Sequence, residues 1–194
     1  MNSILRRRRG MMGYNKGLVY SLYNHSVSLG DKIVTGVHPW TNGGELYILL
    51  DYTTTEAPTS GTSASRKFII AYNSTNSNWG LIIGKKGFTD TNLSCWWNCA
   101  WNDSTQMSNS SVAVGRHRIV VKHQKNSNNL TVYYKYNNGT LKTYQYTSTY
   151  ADSSINTLTI GGNDEYMYLP SGTITQLEIY NKEITDSYIS NFLE

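Results

Sequence analysis

Apolar residues recur along the chain in short runs separated by polar turns, and the clearest run alternates. In Leu130-Thr131-Val132-Tyr133-Tyr134-Lys135-Tyr136, the residues Leu130, Val132, Tyr134 and Tyr136 share one face, the period-2 signature of a half-buried strand. Arg118 to His123 precedes it across a polar turn. Asn137-Asn138-Gly139 follows it, a two-residue hairpin signal leading into a strand from Lys142 to Thr149. Upstream, Lys32 to Val37 and Glu45 to Tyr52 read as strands split by Pro39 and Asn42-Gly43-Gly44, and Lys67 to Tyr72 pairs with Trp79 to Gly84. Thr53 to Ser65 reads as a surface loop, and Lys85 to Ser111 as a long irregular segment of the length at which loops are usually functional. Asn156 to Gly161 and Gly172 to Tyr180 complete the β part. In the last run Leu177 and Ile179 share a face while Ile174 is out of phase, which predicts a bulge.

One helix is expected, at the end of the chain. Thr185 is a good N-cap with Asp186 in the first turn, and Ile184 and Ile189 stand at hydrophobic-staple spacing. Ile189, Phe192 and Leu193 would dock it on the sheets. Many short strands and almost no helix indicate an all-β sandwich or barrel.

Composition agrees. Sixteen Tyr and five Trp accompany a charged fraction of only 15%, too low for a coiled coil or a charge-driven disordered chain. No apolar run is long enough for a membrane-spanning helix, so no membrane partner is expected. The formal net charge is +4, and Arg6, Arg7, Arg8 and Arg9 supply all of it, since 4 − 4 = 0 for the remainder. The basicity therefore belongs to an arm, residues 1–13, and not to the domain, residues 14–194. A neutral domain has no broad electrostatic footprint for nucleic acid, although four arginines could themselves touch phosphate. The arm leads into polar residues and lacks the apolar core of a secretory signal. Cys95 and Cys99 read equally as reduced thiols or as a staple across a tight loop, because on an extended strand they would stand about 13 Å apart.

Two segments carry a resemblance. Thr157-Leu158-Thr159-Ile160-Gly161-Gly162, followed by Gly172 to Tyr180 and Asn181-Lys182-Glu183-Ile184-Thr185-Asp186, resembles the terminal strands and short helix of laminin-G-like, concanavalin-A-like domains. Asp31 to Val37 with Glu45 to Leu50 is similar to that family's opening strand pair. The resemblance implies a jelly-roll sandwich of two antiparallel sheets, commonly used to bind glycans or proteins. Such domains recur as accessory modules on bacteriophage particles, and the Arg-rich leader looks like those of some phage structural proteins. Some relatives bind calcium through carboxylates and loop carbonyls. Here Asp90, Asp103 and Asp164 lie in expected loops but in no recognisable ligand run, so calcium is possible, no metal site is named, and no other cofactor is expected.

Catalysis finds no local support. Glu45, Asp51 and Glu56 are too widely spaced for the carboxylate pattern of sandwich glycanases, and Asp164 and Glu165 are adjacent, so they would face opposite ways. His25, His38, His117 and His123 show no metal or triad spacing, and His117 between Arg116 and Arg118 reads as a strand-edge residue. Binding has more. Trp96, Trp97 and Trp101 cluster with Asn98 and Asn102, a combination in which aromatic faces stack on sugars and amides fix hydroxyls; a protein interface or internal packing would use the same residues. Tyr166 and Tyr168 are further candidates of the same kind.

The resulting expectation is a non-enzymatic virion protein of a bacteriophage, in capsid or tail, oligomeric in the particle. Arg6 to Arg9 would anchor it to other virion proteins, and the domain would face host-surface glycan. The alternative is a free lectin-like carbohydrate-binding module, and a third reading is a glycan hydrolase.

Overall fold

The computed structural model describes residues 17–37, 45–55, 65–71, 79–85, 92–99, 105–111, 114–124, 129–147, 158–161 and 167–194. In chain order the strands are β1 (Leu18–Val27), β2 (Ile33–Val34), β3 (Leu46–Thr54), β4 (Ser65–Ala71), β5 (Trp79–Lys85), β6 (Asn92–Cys99) and β7 (Thr105–Ser111). They continue as β8 (Gly115–His123), β9 (Asn129–Tyr136), β10 (Lys142–Thr147), β11 (Thr159–Ile160), β12 (Met167–Tyr168) and β13 (Gly172–Tyr180), and the helix α1 (Asp186–Leu193) follows. They form two sheets, ordered β1-β13-β3-β8-β9-β10 and β2-β11-β4-β5-β6-β7, with β12 added in parallel on β4. Every other pairing is antiparallel. The chain is a jelly-roll β-sandwich with one C-terminal helix.

Alternation decides which side chains fill the space between the sheets. Leu46, Ile48, Leu50 and Tyr52 of β3, Ile119 and Val121 of β8, and Leu130, Val132 and Tyr134 of β9 meet Leu81 and Ile83 of β5 and Leu93 and Cys95 of β6. The intervening residues of the six-stranded sheet point outward. Near the helix these are apolar: Tyr47, Leu49, Val120 and Tyr180 pack under Ile184, Ile189 and Leu193, with Phe192 beside them. The cap is the expected one, Thr185 Oγ1 accepting from the Tyr188 amide at 3.3 Å.

The expected bulge is present. The β13–β3 register shifts between Ile174 and Gln176, so the extra residue rephases the strand and Ile174, Leu177 and Ile179 all reach the core. Asn24 on β1 has φ +50°, in the αL region that asparagine tolerates, between the pairs His25↔Ile174 and Tyr23↔Gln176 that bracket the bulge.

Four expectations are corrected. The hairpin after β9 is not a two-residue Asn-Gly turn: its β-turn runs from Tyr136 to Gly139, with Asn137 at φ +49° and the Gly139 amide donating to Tyr136 O at 2.9 Å. The segment from Lys85 to Ser111 is not one irregular loop, since it contains β6 and β7. The first strand, β1, carries no strand signal in our reading of the sequence, yet it pairs along β13. His117 is no edge residue. Its strand is flanked by β3 and β9, and its ring is fully buried, with Nδ1 3.1 Å from Tyr134 Oη and a centroid 5.1 Å from that of Tyr136.

Candidate functional site

Trp96, Trp97 and Asn98 lie on strand β6 and not in a loop, which corrects their expected setting. Their backbone positions face Ile82 (Trp96) and Leu81 (Trp97) of β5. Cys95 and Cys99 share that strand, and the extended backbone between them spans about 13 Å, too far for a bridge; Cys95 is a buried thiol. Tyr168 belongs to the short strand β12. Trp101, Asn102 and Tyr166 lie outside the described residues, as do Arg6, Arg7, Arg8 and Arg9.

Where side chains are described, polar chemistry converges on the outer face of the six-stranded sheet, on the half that α1 leaves uncovered. Asp51 of β3 stands opposite Gln176 of β13 and Arg118 of β8, and Arg118 stands opposite Lys135 of β9. Arg116, two residues before Arg118, holds Asp51 in a bidentate pair, with Nε to Oδ1 at 2.8 Å and Nη2 to Oδ2 at 2.7 Å. That bond, more than the charge itself, raises the Arg116 guanidinium above its ordinary range. Arg118 is shifted the other way: burial lowers it, Arg116 adds repulsion, and Asp51 compensates only in part.

Asn137 locks the two arginines from the hairpin. Its side-chain oxygen accepts the Arg116 amide at 2.9 Å, its own amide donates to Arg116 O at 2.8 Å, and its carbonyl accepts Arg118 Nη2 at 2.8 Å. The αL conformation of Asn137 turns these three groups back toward β8.

Next along the same face, the buried carboxylate of Glu178 collects three phenols. Tyr23 Oη donates to Oε1, while Tyr180 and Tyr188 each donate to Oε2 at 2.7 Å. Burial pushes Tyr188 up to about 12 and Tyr180 higher still. Asp51 and Glu178 are diagonal neighbours on adjacent strands, about 7–8 Å apart by sheet geometry. That spacing overlaps the range used in inverting glycoside hydrolysis. All four carboxylate oxygens, however, already accept a bond from Arg116 or from a tyrosine. The face presents cationic donors beside two carboxylates that arginine and tyrosine already hold by hydrogen bonds. Among the described residues no group of three His, Cys, Asp or Glu could hold a metal ion, and no helix is long and apolar enough to cross a membrane.

Sequence reasoning misses this site because its members come from β3, β8, β9 and β13 and meet only through register. The one local signal is Arg116-His117-Arg118, two arginines on the parity that Lys122 continues along the same strand.

No family model and no curated protein matches the chain. Solved structures do. The CBM40 carbohydrate-binding module of the Ruminococcus gnavus IT-sialidase, bound to alpha2,3 sialyllactose, superposes with a TM-score of 0.61 at 14% identity, covering 91% of this chain and 99% of that one. Lectin I-B4 from Griffonia simplicifolia gives 0.53 at 9% identity, over 87% and 92%. A Trypanosoma rangeli sialidase gives 0.58 at 16% identity, and there the match spans 91% of this chain but 33% of the enzyme. At these identities the likeness establishes the fold: the chain has the lectin-like jelly roll that these proteins share.

Proposed function

We infer that the protein is a non-catalytic, lectin-like carbohydrate-binding module. The observation that carries this reading is the whole-domain fit. Nine-tenths of the chain aligns with all but 1% of a module crystallised with sialyllactose, whereas the sialidase is matched over only a third of its length. The engaged carboxylates of the outer face support the non-catalytic part. Glycan-array screening of the full chain, followed by tryptophan-fluorescence titration of the hits, tests it. Saturable binding of at least one glycan, returned unhydrolysed, is the expected result. An array without a hit, or release of a sugar from a bound glycan, overturns it.

A second reading, display of this module on a phage particle, is favoured by one feature: four consecutive arginines before a body of zero formal charge. Such an arm suits charge-assisted bonds to an acidic partner. Trp96, Trp97, Trp101, Asn98, Asn102, Tyr166 and Tyr168 remain proposed contact residues under either reading. Deleting residues 1–12 distinguishes the two. Display predicts loss of incorporation into particles with an unchanged β-type circular dichroism spectrum, and a free module predicts unchanged glycan binding with no particle association in either form.

A further inference from the structure

Arg118 heads the fully buried side chains by volume, at 1% exposure, yet among the described residues no carboxylate forms an ion pair with it. Asp51, its cross-strand neighbour, is committed to Arg116 through both oxygens. One Arg118 nitrogen reaches Asn137 O, and its buried Nε has no hydrogen-bond partner among the described residues. Lys135 stands directly opposite on β9, a like-charge pairing that costs stability in a sheet. Arg116, Arg118 and Lys135 against Asp51 leave +2 (3 − 1), and the diagonal carboxylate of Glu178 brings the face to +1 (3 − 2). A buried, incompletely paired guanidinium between like charges is unfavourable for folding alone. Local violations of this kind mark functional positions, and a bound oxyanion would relieve this one.

Access is graded. The Arg116 side chain is 45% exposed and Lys135, opposite Arg118 on β9, is half-buried, so solvent reaches both cations that neighbour Arg118. Tyr23, three strands away on β1, is 49% exposed and bonded to Glu178, so it stands apart from the cationic cluster. A cationic cluster on the outer face of a carbohydrate-binding fold suits the charged group of an acidic sugar.

We propose that Arg118, Arg116 and Lys135 form a binding site for the carboxylate or sulfate group of an acidic glycan, so that the module selects charged over neutral sugars. This rests on the carbohydrate-binding reading above. Calorimetric titration of the full chain with α2,3-sialyllactose, 3′-sulfated lactose and lactose tests it, alongside thermal shifts with inorganic sulfate. At least one of the charged ligands should bind about tenfold or more tightly than lactose, with an advantage that shrinks as sodium chloride rises. Which charged lactose binds more tightly separates carboxylate from sulfate. Lys135→Gln should lose most of the advantage and Arg118→Met all of it. Should Arg118→Met fail to fold, Lys135→Gln decides. Equal binding of lactose and both charged derivatives, or an advantage that survives Lys135→Gln, overturns the proposal and leaves the glycan reading standing. Absence of glycan binding, with a sulfate-dependent rise in Tm that Lys135→Gln abolishes, keeps the anion site and overturns the glycan reading. No response to any of these ligands overturns both.

Discussion

Raised through pH 10, the protein is expected to lose stability steeply and to unfold in one cooperative step before about pH 12. Four tyrosines among the described residues are buried to 8% exposure or less and have hydroxyls driven well above their ordinary range: Tyr47, Tyr134, Tyr146 and Tyr180. In each the first cause is burial, which penalises the phenolate; for Tyr47 the charges of Glu183, Glu45 and Asp186 add to it. Unfolded, these groups ionise near about 10, while the native state keeps its protons. The unfolded chain then binds fewer protons, so stability falls as pH rises; it is intact below pH 10 and lost above it. Each such group removes about 1.4 kcal/mol per pH unit, so four remove roughly 5, against the roughly 5–15 kcal/mol that holds a typical domain. Absorbance at 295 nm recorded with circular dichroism checks this. The buried phenols should ionise together with loss of the β signal, and a gradual titration centred near pH 10 with the spectrum intact would refute it. Tyr47→Phe sharpens the test. Its hydroxyl is buried without a hydrogen-bond partner among the described residues, so the change should flatten the alkaline slope by about a quarter and leave neutral stability equal or up to about 1 kcal/mol higher.

These tyrosines also show how far the sequence could be read. Tyr134 was legible because Leu130 and Val132 set its parity, and Ile174 was legible because being out of phase with Leu177 demanded a bulge. The cap at Thr185 and the docking of Ile189 and Leu193 followed from local chemistry alone. Strand β1 was not legible. It is an edge strand with only Val27 buried, so Ser21, Asn24 and His25 are tolerated and no alternation survives. Strands β6 and β7 were hidden for a related reason, as Asn92, Ser94, Asn98 and the polar run Thr105–Ser111 obscure the period. His117 was misjudged because its neighbours are charged, although its parity with Ile119 and Val121 places it inside. The Asp51–Arg116–Arg118 cluster could not be read from spacing at all, since Asp51 lies 65 positions from Arg116 and only the β3–β8 register joins them.

On the other side of β3, the β13–β3 register rests on a close approach that Gly172→Ala would destroy, with an expected cost of about 3 kcal/mol and a fall in Tm of roughly 6–12 °C. A Cβ at position 172 would stand 2.1 Å from Thr53 O and 3.0 Å from Thr53 C, both backbone atoms of the adjoining strand. Gly172 sits between Val27 of β1 and Thr54 of β3, so the chain cannot back away on either side without opening a ladder. Ser171 O is further pinned by the Thr55 amide at 2.9 Å and the Thr55 hydroxyl at 3.1 Å. Gly36→Ala is the contrasting variant. Its φ of +70° strains any L side chain, but no atom of the described residues lies within 4 Å of the added Cβ, so only the backbone term of about 1 kcal/mol is expected. Thermal melts of the two variants separate steric approach from conformational strain, and equal losses would show that the close approach is not the cause. The consequence reaches the outer face. Relieving the clash must slide β13 against β3, and the bulge between Ile174 and Gln176 is the one irregularity that can absorb the shift before it reaches Gln176 and Glu178. If the bulge absorbs it, folded Gly172→Ala retains ligand binding at a lower Tm; if binding and Tm fall together, β13 moves as a rigid strand and carries the site with it.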